Sequence, residues 1–240
     1  MRLLVSVANR EEAVAARAGG ADIIDAKDPT TGPLGAVSIA VLHEIHAASN
    51  GTRPVTAALG DAADARAIEH AACMFGGAGA MLVKVGLAGI AGVERAAALL
   101  AAAVRGATAG SGGRCGVIAV AYADAPRVAS LAPGAVTEAA AAAGTAGVLL
   151  DTADKDGPGL RDLLSPGALA AWVTRAHEAR LLVALAGRLR ADDLGFVRDA
   201  GADIAGVRGA ACEGGRTGRV TANKVRALRM LCAPPNLGDP

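Results

Sequence analysis

Lysine is scarce in this 240-residue sequence. Of 24 Lys and Arg residues only four are lysine, namely Lys27, Lys84, Lys155 and Lys224. Aromatic residues are as few, with two Phe, one Tyr (Tyr122) and one Trp (Trp172), which leaves little surface for stacking a nucleobase or a flavin. The four cysteines (Cys73, Cys115, Cys212, Cys232) form no CxxC pair, a pattern of free, mostly buried thiols in a reduced cytosolic setting. Charge of one sign is also missing: the formal net charge is +1, so no field draws in nucleic acid or an anionic membrane. Long apolar runs are absent too. The opening MRLLVSVANREE meets acidic residues too soon for a signal peptide, and Ala-rich Leu87–Ala109 carries Glu94, Arg95 and Arg105, which argues against a membrane span. The expectation is a cytoplasmic protein with no nucleic-acid or membrane partner; homo-oligomerisation stays open.

What is present is a core-forming composition, 52% hydrophobic against 20% charged. A chain of this length buries enough surface to fold without disulfides or structural metal, and one domain is the favoured organisation. Eight short apolar or β-branched runs read as strands: Arg2–Val7, Asp22–Ala26, Pro54–Leu59, Ala80–Val85, Gly116–Ala121, Gly147–Leu150, Leu181–Leu185 and Asp203–Val207. Each precedes a segment long enough for a helix. Near-continuous apolar strands such as Leu181–Leu185 are buried on both faces, as in a parallel sheet covered by helices. Asn9 with Glu12 reads as a capping box, and Asp61 as the cap of the helix after the third strand. Gly19-Gly20, Gly76-Gly77, Gly144 and Gly201 read as helix-ending turns. The stretch from Ala18 to Ile24 resembles that from Ala200 to Ala205, a short internal repeat. The fold expected is a single (β/α)8 TIM barrel over residues 1–232, with 233–240, which holds three prolines, as a loose tail. A doubly wound open sheet is the alternative, weakened by the lack of GxGxxG after the first strand.

The arginine excess suggests a coding bias that replaces lysine wherever only charge matters. The remaining lysines are then candidates for work that needs a deprotonatable amine. Three of the four fall at strand ends, where barrels place their active sites: Lys27 after the second strand, Lys84 late in the fourth, Lys155 after the sixth. Lys224 reads as an exposed helix residue. Asp25 and Lys27 are two apart and share a strand face, Ile24 and Ala26 taking the other; Lys84 shares a face with Leu82 and Gly86. Asp25 and Asp151 supply compensating carboxylates, and buried salt bridges that merely lock the barrel mouth are the structural alternative. A lysine whose pKa is lowered by neighbouring ammonium groups can attack an aldehyde or ketone, and the protonated imine then acidifies the adjacent carbon.

Phosphate sites are expected in the loops after the seventh and eighth strands, at Gly187 and Arg188 and at Arg208 and Gly209, with turn geometry alone as the alternative. The loop Asp28–Gly35 either closes over a substrate or is a rigid connection. His43, His46, His70 and His177 all fall in helical patterns, so no metal centre or His-based triad is expected. Cys212 follows the last strand closely and reads as packing. The substrate expected is small, polar and phosphorylated.

The residues Leu3-Leu4-Val5-Ser6, Gly20–Pro29 with Gly32 and Leu34-Gly35-Ala36, Lys84-Val85-Gly86, and Asp151-Thr152 with Lys155-Asp156-Gly157 resemble the (5-formylfuran-3-yl)methyl phosphate synthases of methanofuran biosynthesis. The family is also called 4-(hydroxymethyl)-2-furancarboxaldehyde-phosphate synthase. The resemblance spans Met1 to about Leu231. It implies an aldolase-like barrel that condenses two molecules of glyceraldehyde 3-phosphate into a phosphorylated furan aldehyde, losing phosphate and water, with no cofactor. Carried over by position, it implies Lys27 as the Schiff-base lysine and Lys84 as proton acceptor, with Asp25, Asp151 and Lys155 in the supporting acid–base group. Ala26 departs from the bulkier residue expected in archaeal relatives, but faces away from the site. The Ala- and Arg-rich composition looks bacterial, which suggests a methanofuran analogue in one-carbon metabolism. A class I aldolase or epimerase on another sugar phosphate, and a non-catalytic sugar-phosphate sensor, are the competing readings.

Overall fold

The computed structural model describes residues 1–232, so the expected tail at 233–240 lies outside the described residues. The eight barrel strands are β1 (Arg2–Val7), β2 (Ile23–Ala26), β3 (Val55–Asp61), β4 (Leu82–Gly86), β5 (Gly116–Tyr122), β6 (Gly147–Asp151), β7 (Leu182–Leu185) and β8 (Ile204–Val207). Around them lie α1 (Arg10–Ala18), α2 (Ile39–Ser49), α3 (Ala65–Gly77), α4 (Val93–Ser111), α5 (Pro133–Ala142), α6 (Leu160–Leu163), α7 (Pro166–Glu178), α8 (Leu194–Asp199) and α9 (Ala222–Cys232). A small antiparallel hairpin, β9 (Cys212–Glu213) and β10 (Arg219–Val220), is inserted after β8.

The strands are parallel and paired in sequence order, and β8 returns to β1 through Arg2↔Ile204 and Val5↔Val207. That closure removes the open-sheet alternative. Alternation along each strand divides the core. In β5, Val117, Ala119 and Ala121 face the helices, while Ile118, Val120 and Tyr122 fill the barrel interior with Leu4, Ile23, Leu149, Ala184 and Ile204. Burial on both faces explains why the strands read as unbroken apolar runs. Among the described residues no helix is long and apolar enough to cross a membrane.

Helix starts follow local chemistry. Asn9 accepts from the Glu12 N–H, Ser38 from Val41, Asp64 from Ala67 and Ser165 from Ala168. The cap of α3 is therefore Asp64, not Asp61; β3 runs on to Asp61, whose carboxylate accepts from the Tyr122 hydroxyl (2.7 Å) and the Ala88 N–H (3.0 Å). The internal repeat is a real structural one. Asp22 accepts from the Leu3 N–H and Asp203 from the Val183 N–H, both at 2.8 Å, so each aspartate fastens the start of its strand to the previous one.

Gly76 and Gly77 belong to α3 rather than to a turn, because α3 and α4 pack backbone to backbone. A Cβ at Gly106 or Gly110 of α4 would sit 2.0 Å from the Glu69 or Cys73 carbonyl oxygen of α3. Gly110→Ala is thus expected to lower stability by about 1–3 kcal/mol, since neither backbone can yield without the other. Gly134→Ala, where the added methyl meets open space in α5, should be neutral or stabilising by up to about 1 kcal/mol. Urea midpoints of the two variants check this pair of expectations.

Candidate active site

The β2 sequence Ile23-Ile24-Asp25-Ala26-Lys27 sends Asp25 and Lys27 inward and packs Ile24 and Ala26 under the helices. Asp25 is completely buried, and three other strands satisfy it. Its carboxylate accepts from Ser6 Oγ of β1 (2.8 Å), Thr56 Oγ1 of β3 (2.7 Å) and Lys84 Nζ of β4 (2.5 Å). A second ion pair stands at the end of β6, where Lys155 Nζ donates to Asp151 Oδ1 at 2.7 Å and to the Thr152 carbonyl at 2.5 Å. Burial would raise the Asp151 carboxyl, but the Lys155 and Lys27 ammonium groups and the Thr152 N–H hold it below its ordinary value.

Lys27 is different. Its side chain is only 8% exposed and has no hydrogen-bond partner among the described residues. Burial first, then the Lys84 ammonium, pulls its pKa from 10.5 to about 7, against the opposing attraction of Asp151. A large fraction of this amine is therefore neutral and nucleophilic near pH 7. It opens into a cavity of about 270 Å³ that also meets Lys84, Asp151, Lys155 and the loops after β7 and β8.

The sequence-expected phosphate residues separate on inspection. Gly187 is buried in the left-handed region at φ +103°, where a Cβ would come within 3.0 Å of Thr152 Cγ2, so the chain can pass there only as glycine. Arg188 is exposed, lines the cavity and has no partner among the described residues. Gly209 lines the cavity as well. Arg208 is not free to hold a phosphate as the sequence suggests. Its guanidinium spends all five N–H groups inside the protein: on both Glu12 oxygens, on the carbonyls of Ser6 and Gly218, and through Nε on the Arg216 carbonyl. It is a buried strut, with no donor left for a ligand. Glu12 is correspondingly more than a capping residue. Its carboxylate takes the Ala8 N–H at 2.8 Å, rather than that of Asn9, and pairs with Arg208, 196 positions away.

The loop Asp28–Gly35 is tied down by internal hydrogen bonds and by a buried leucine. Asp28 accepts from Thr30 N–H and Oγ1, its own N–H donates to the Gly35 carbonyl, and Leu34 is buried against Ala58, Val120 and Tyr122. Arg216 pins the same loop by donating to the carbonyls of Pro29 and Gly32, and it lines the cavity. The sequence reading passed over Arg216, although a basic residue in the glycine-rich run Glu213-Gly214-Gly215-Arg216 after the eighth strand was a usable signal. The four histidines are exposed on helices away from the mouth, Cys212 is buried packing, and Lys224 is exposed on α9, donating to the Cys212 carbonyl.

A family model described as 4-HFC-P synthase matches residues 3–229. The chain belongs to that family. It is similar to the (5-formylfuran-3-yl)methyl phosphate synthase of Methanopyrus kandleri, at 44% identity over 95% of this chain and 97% of that one. It is similar also to the protein of the same name from Methanocaldococcus jannaschii, at 40% identity over 97% and 100% of the two chains. Among solved structures, 3-hexulose-6-phosphate synthase superposes with a TM-score of 0.64 at 23% identity, covering 97% of this chain and 100% of that one. KGPDC from Streptococcus mutans gives 0.67 at 15%, over 96% of each chain. At such identities these structures speak for the barrel alone, whereas family membership rests on the sequence relatives.

The depressed Lys27 pKa has a consequence for folding. Between about 7 and 10.5 the unfolded chain holds a proton that the folded chain has released, so stability rises with pH across that window. Lys27→Met removes the contribution. The variant should exceed the wild type in stability at pH 6, and the gap should close as pH rises towards 10, read from urea midpoints; a gap independent of pH would contradict it.

Proposed function

We propose that the chain is a carbon–oxygen lyase acting on phosphates, which condenses two molecules of glyceraldehyde 3-phosphate into (5-formylfuran-3-yl)methyl phosphate. The single observation that carries this reading is the buried Lys27 amine, without a side-chain partner among the described residues and lowered in pKa to about 7, in a family whose relatives bear the name of that synthase. The neutral amine adds to a triose carbonyl, and the carbonyl oxygen leaves as water to give the imine. Protonated at nitrogen, that imine draws electrons from the adjacent C–H, which makes the carbon acidic. Lys84 is the proton acceptor of this reading: Asp25, 2.5 Å from Nζ, takes up the proton that Nζ gives away as Nζ receives the one leaving the carbon. The Asp151–Lys155 pair supplies and recovers protons as oxygen leaves. Attack of the resulting enamine carbon on the aldehyde of the second triose forms the new carbon–carbon bond. Hydrolysis of the C=N bond then frees Lys27 and takes back the water lost on imine formation, so atom balance requires one phosphate and two further waters to depart, with no net oxidation or reduction. No cofactor is needed for these steps.

Gly187, Arg188 and the backbone at Gly209 are the phosphate-holding part of this reading, with Arg208 holding that loop in place. The product would feed methanofuran or an analogue of it, and the free thiols of Cys73, Cys115, Cys212 and Cys232 suit a reducing cytoplasm.

Borohydride added with glyceraldehyde 3-phosphate should trap a covalent adduct on Lys27, located by peptide mass spectrometry. Mass spectrometry of the product separates the furan from an ordinary aldolase or epimerase product, and the absence of any adduct would favour a sensor. Lys27→Arg keeps the charge and loses the nucleophile, so furan formation should fall at least about a thousandfold in a folded protein. Lys224→Arg, outside the site, should stay close to wild type.

A further inference from the structure

The cavity wall carries more positive charge than the pairs within it can neutralise. Asp25 holds Lys84, Asp151 holds Lys155 and Glu12 holds Arg208, while Lys27, Arg188 and Arg216 have no carboxylate partner among the described residues. Arg216 is the unexpected member of this group. It stands at the tip of the β9–β10 hairpin, half-buried, and burial pulls its guanidinium below its ordinary pKa. Its position is fixed by two buried residues: Glu12 holds Arg208, and Arg208 Nε donates to the Arg216 carbonyl at 3.0 Å. Nη1 and Nη2 each give one N–H to the loop after β2, at Pro29 and Gly32. Three of the five donors remain, and the side chain borders the cavity that holds Lys27.

Arg188 borders the same cavity from another side. Its Cβ lies beside Gly159, at the start of α6, whereas Arg216 reaches over to the segment that follows Lys27. A planar guanidinium with free N–H groups and no internal counter-ion is suited to a phosphate. One such group on each side of a single amine suits two phosphates at once.

We infer that Arg216 binds the phosphate of the second, incoming triose phosphate, while the β7 loop with Arg188 holds the phosphate of the triose bound to Lys27. This rests on the two-triose reading above. It makes Arg216 the residue that requires the acceptor to be a phosphate ester, and it makes the β9–β10 hairpin part of the binding site.

The test compares wild type with Arg216→Ala, Arg216→Gln and Arg216→Lys in the full-length chain. Borohydride trapping on Lys27, which needs only the first triose, should stay within about threefold of wild type in all three. Furan formation should fall about a hundredfold in Arg216→Ala and Arg216→Gln, with at least a tenfold rise in half-saturating glyceraldehyde 3-phosphate; Arg216→Lys should recover part of the loss. Inorganic phosphate, titrated calorimetrically without substrate, should fill two sites on wild type and one on Arg216→Ala. Turnover within threefold of wild type in Arg216→Ala would overturn the inference. So would parallel loss of trapping and turnover in all three variants, which marks a loop support only, or an unchanged phosphate stoichiometry. If wild type itself gives neither adduct nor furan, the two-triose reading fails, and the phosphate titration still decides whether Arg216 is an anion ligand.

Discussion

Asp25 and Asp151 each hold one ammonium at the mouth of the barrel, and neither hydrogen-bonds the third. Two carboxylates among three lysines, of which Lys27 and Lys84 are buried, leave Lys27 with a charge that the surrounding protein solvates poorly, and releasing its proton relieves the conflict. Stability alone would favour a third carboxylate or an apolar residue at this position, because buried ions repay their desolvation only when well paired. The rest of the site fits around that imbalance. Asp25 is satisfied from β1, β3 and β4, so it cannot swing towards Lys27, and Lys155 occupies Asp151 from the loop that follows β6.

The closed sheet makes such an arrangement possible. Strands β2, β4 and β6 run parallel in sequential pairing, so inward side chains from distant parts of the chain meet at the same end. Below them Leu4, Ile23, Ile118, Leu149 and Ile204 close the interior to water. On the far side the Glu12–Arg208 pair joins the first helix to the loop after the last strand and carries the hairpin that bears Arg216. Arg216 in turn fixes the loop after β2, the strand that presents Lys27. The connection runs from the first βα unit through the last and back to the nucleophile, which ties the geometry of the site to barrel closure.

Much of this was legible in the sequence. All eight strands lie within two residues of their expected bounds, because burial on both faces leaves an unbroken apolar signature and the turn glycines mark the boundaries. The three site lysines stood out against an arginine-rich background, and the two-residue spacing of Asp25 and Lys27 fixed their common face. What escaped was long-range or context-dependent. Arg208 has the local setting of a phosphate ligand, and only the fold brings Glu12, 196 positions away, to use its charge. Asp61 and Asp64 are equally good caps on paper, and the extension of β3 decides between them. Gly76 and Gly77 read as a turn because no local feature reveals that α4 will press its own glycines against the α3 backbone. Arg216 was hidden in a hairpin two residues long on each side, below the length that periodicity can detect.

The chemistry of the site depends on the protonation state of one side chain. Heteronuclear NMR titration of isotope-labelled lysine methylene groups, with Lys27→Arg used to assign the resonance, measures that state directly. The Lys27 signal should titrate with a midpoint near 7. A Lys27 midpoint near 10.5 would mean that the amine is charged at neutral pH like any exposed lysine, and the imine chemistry built on it would have no nucleophile.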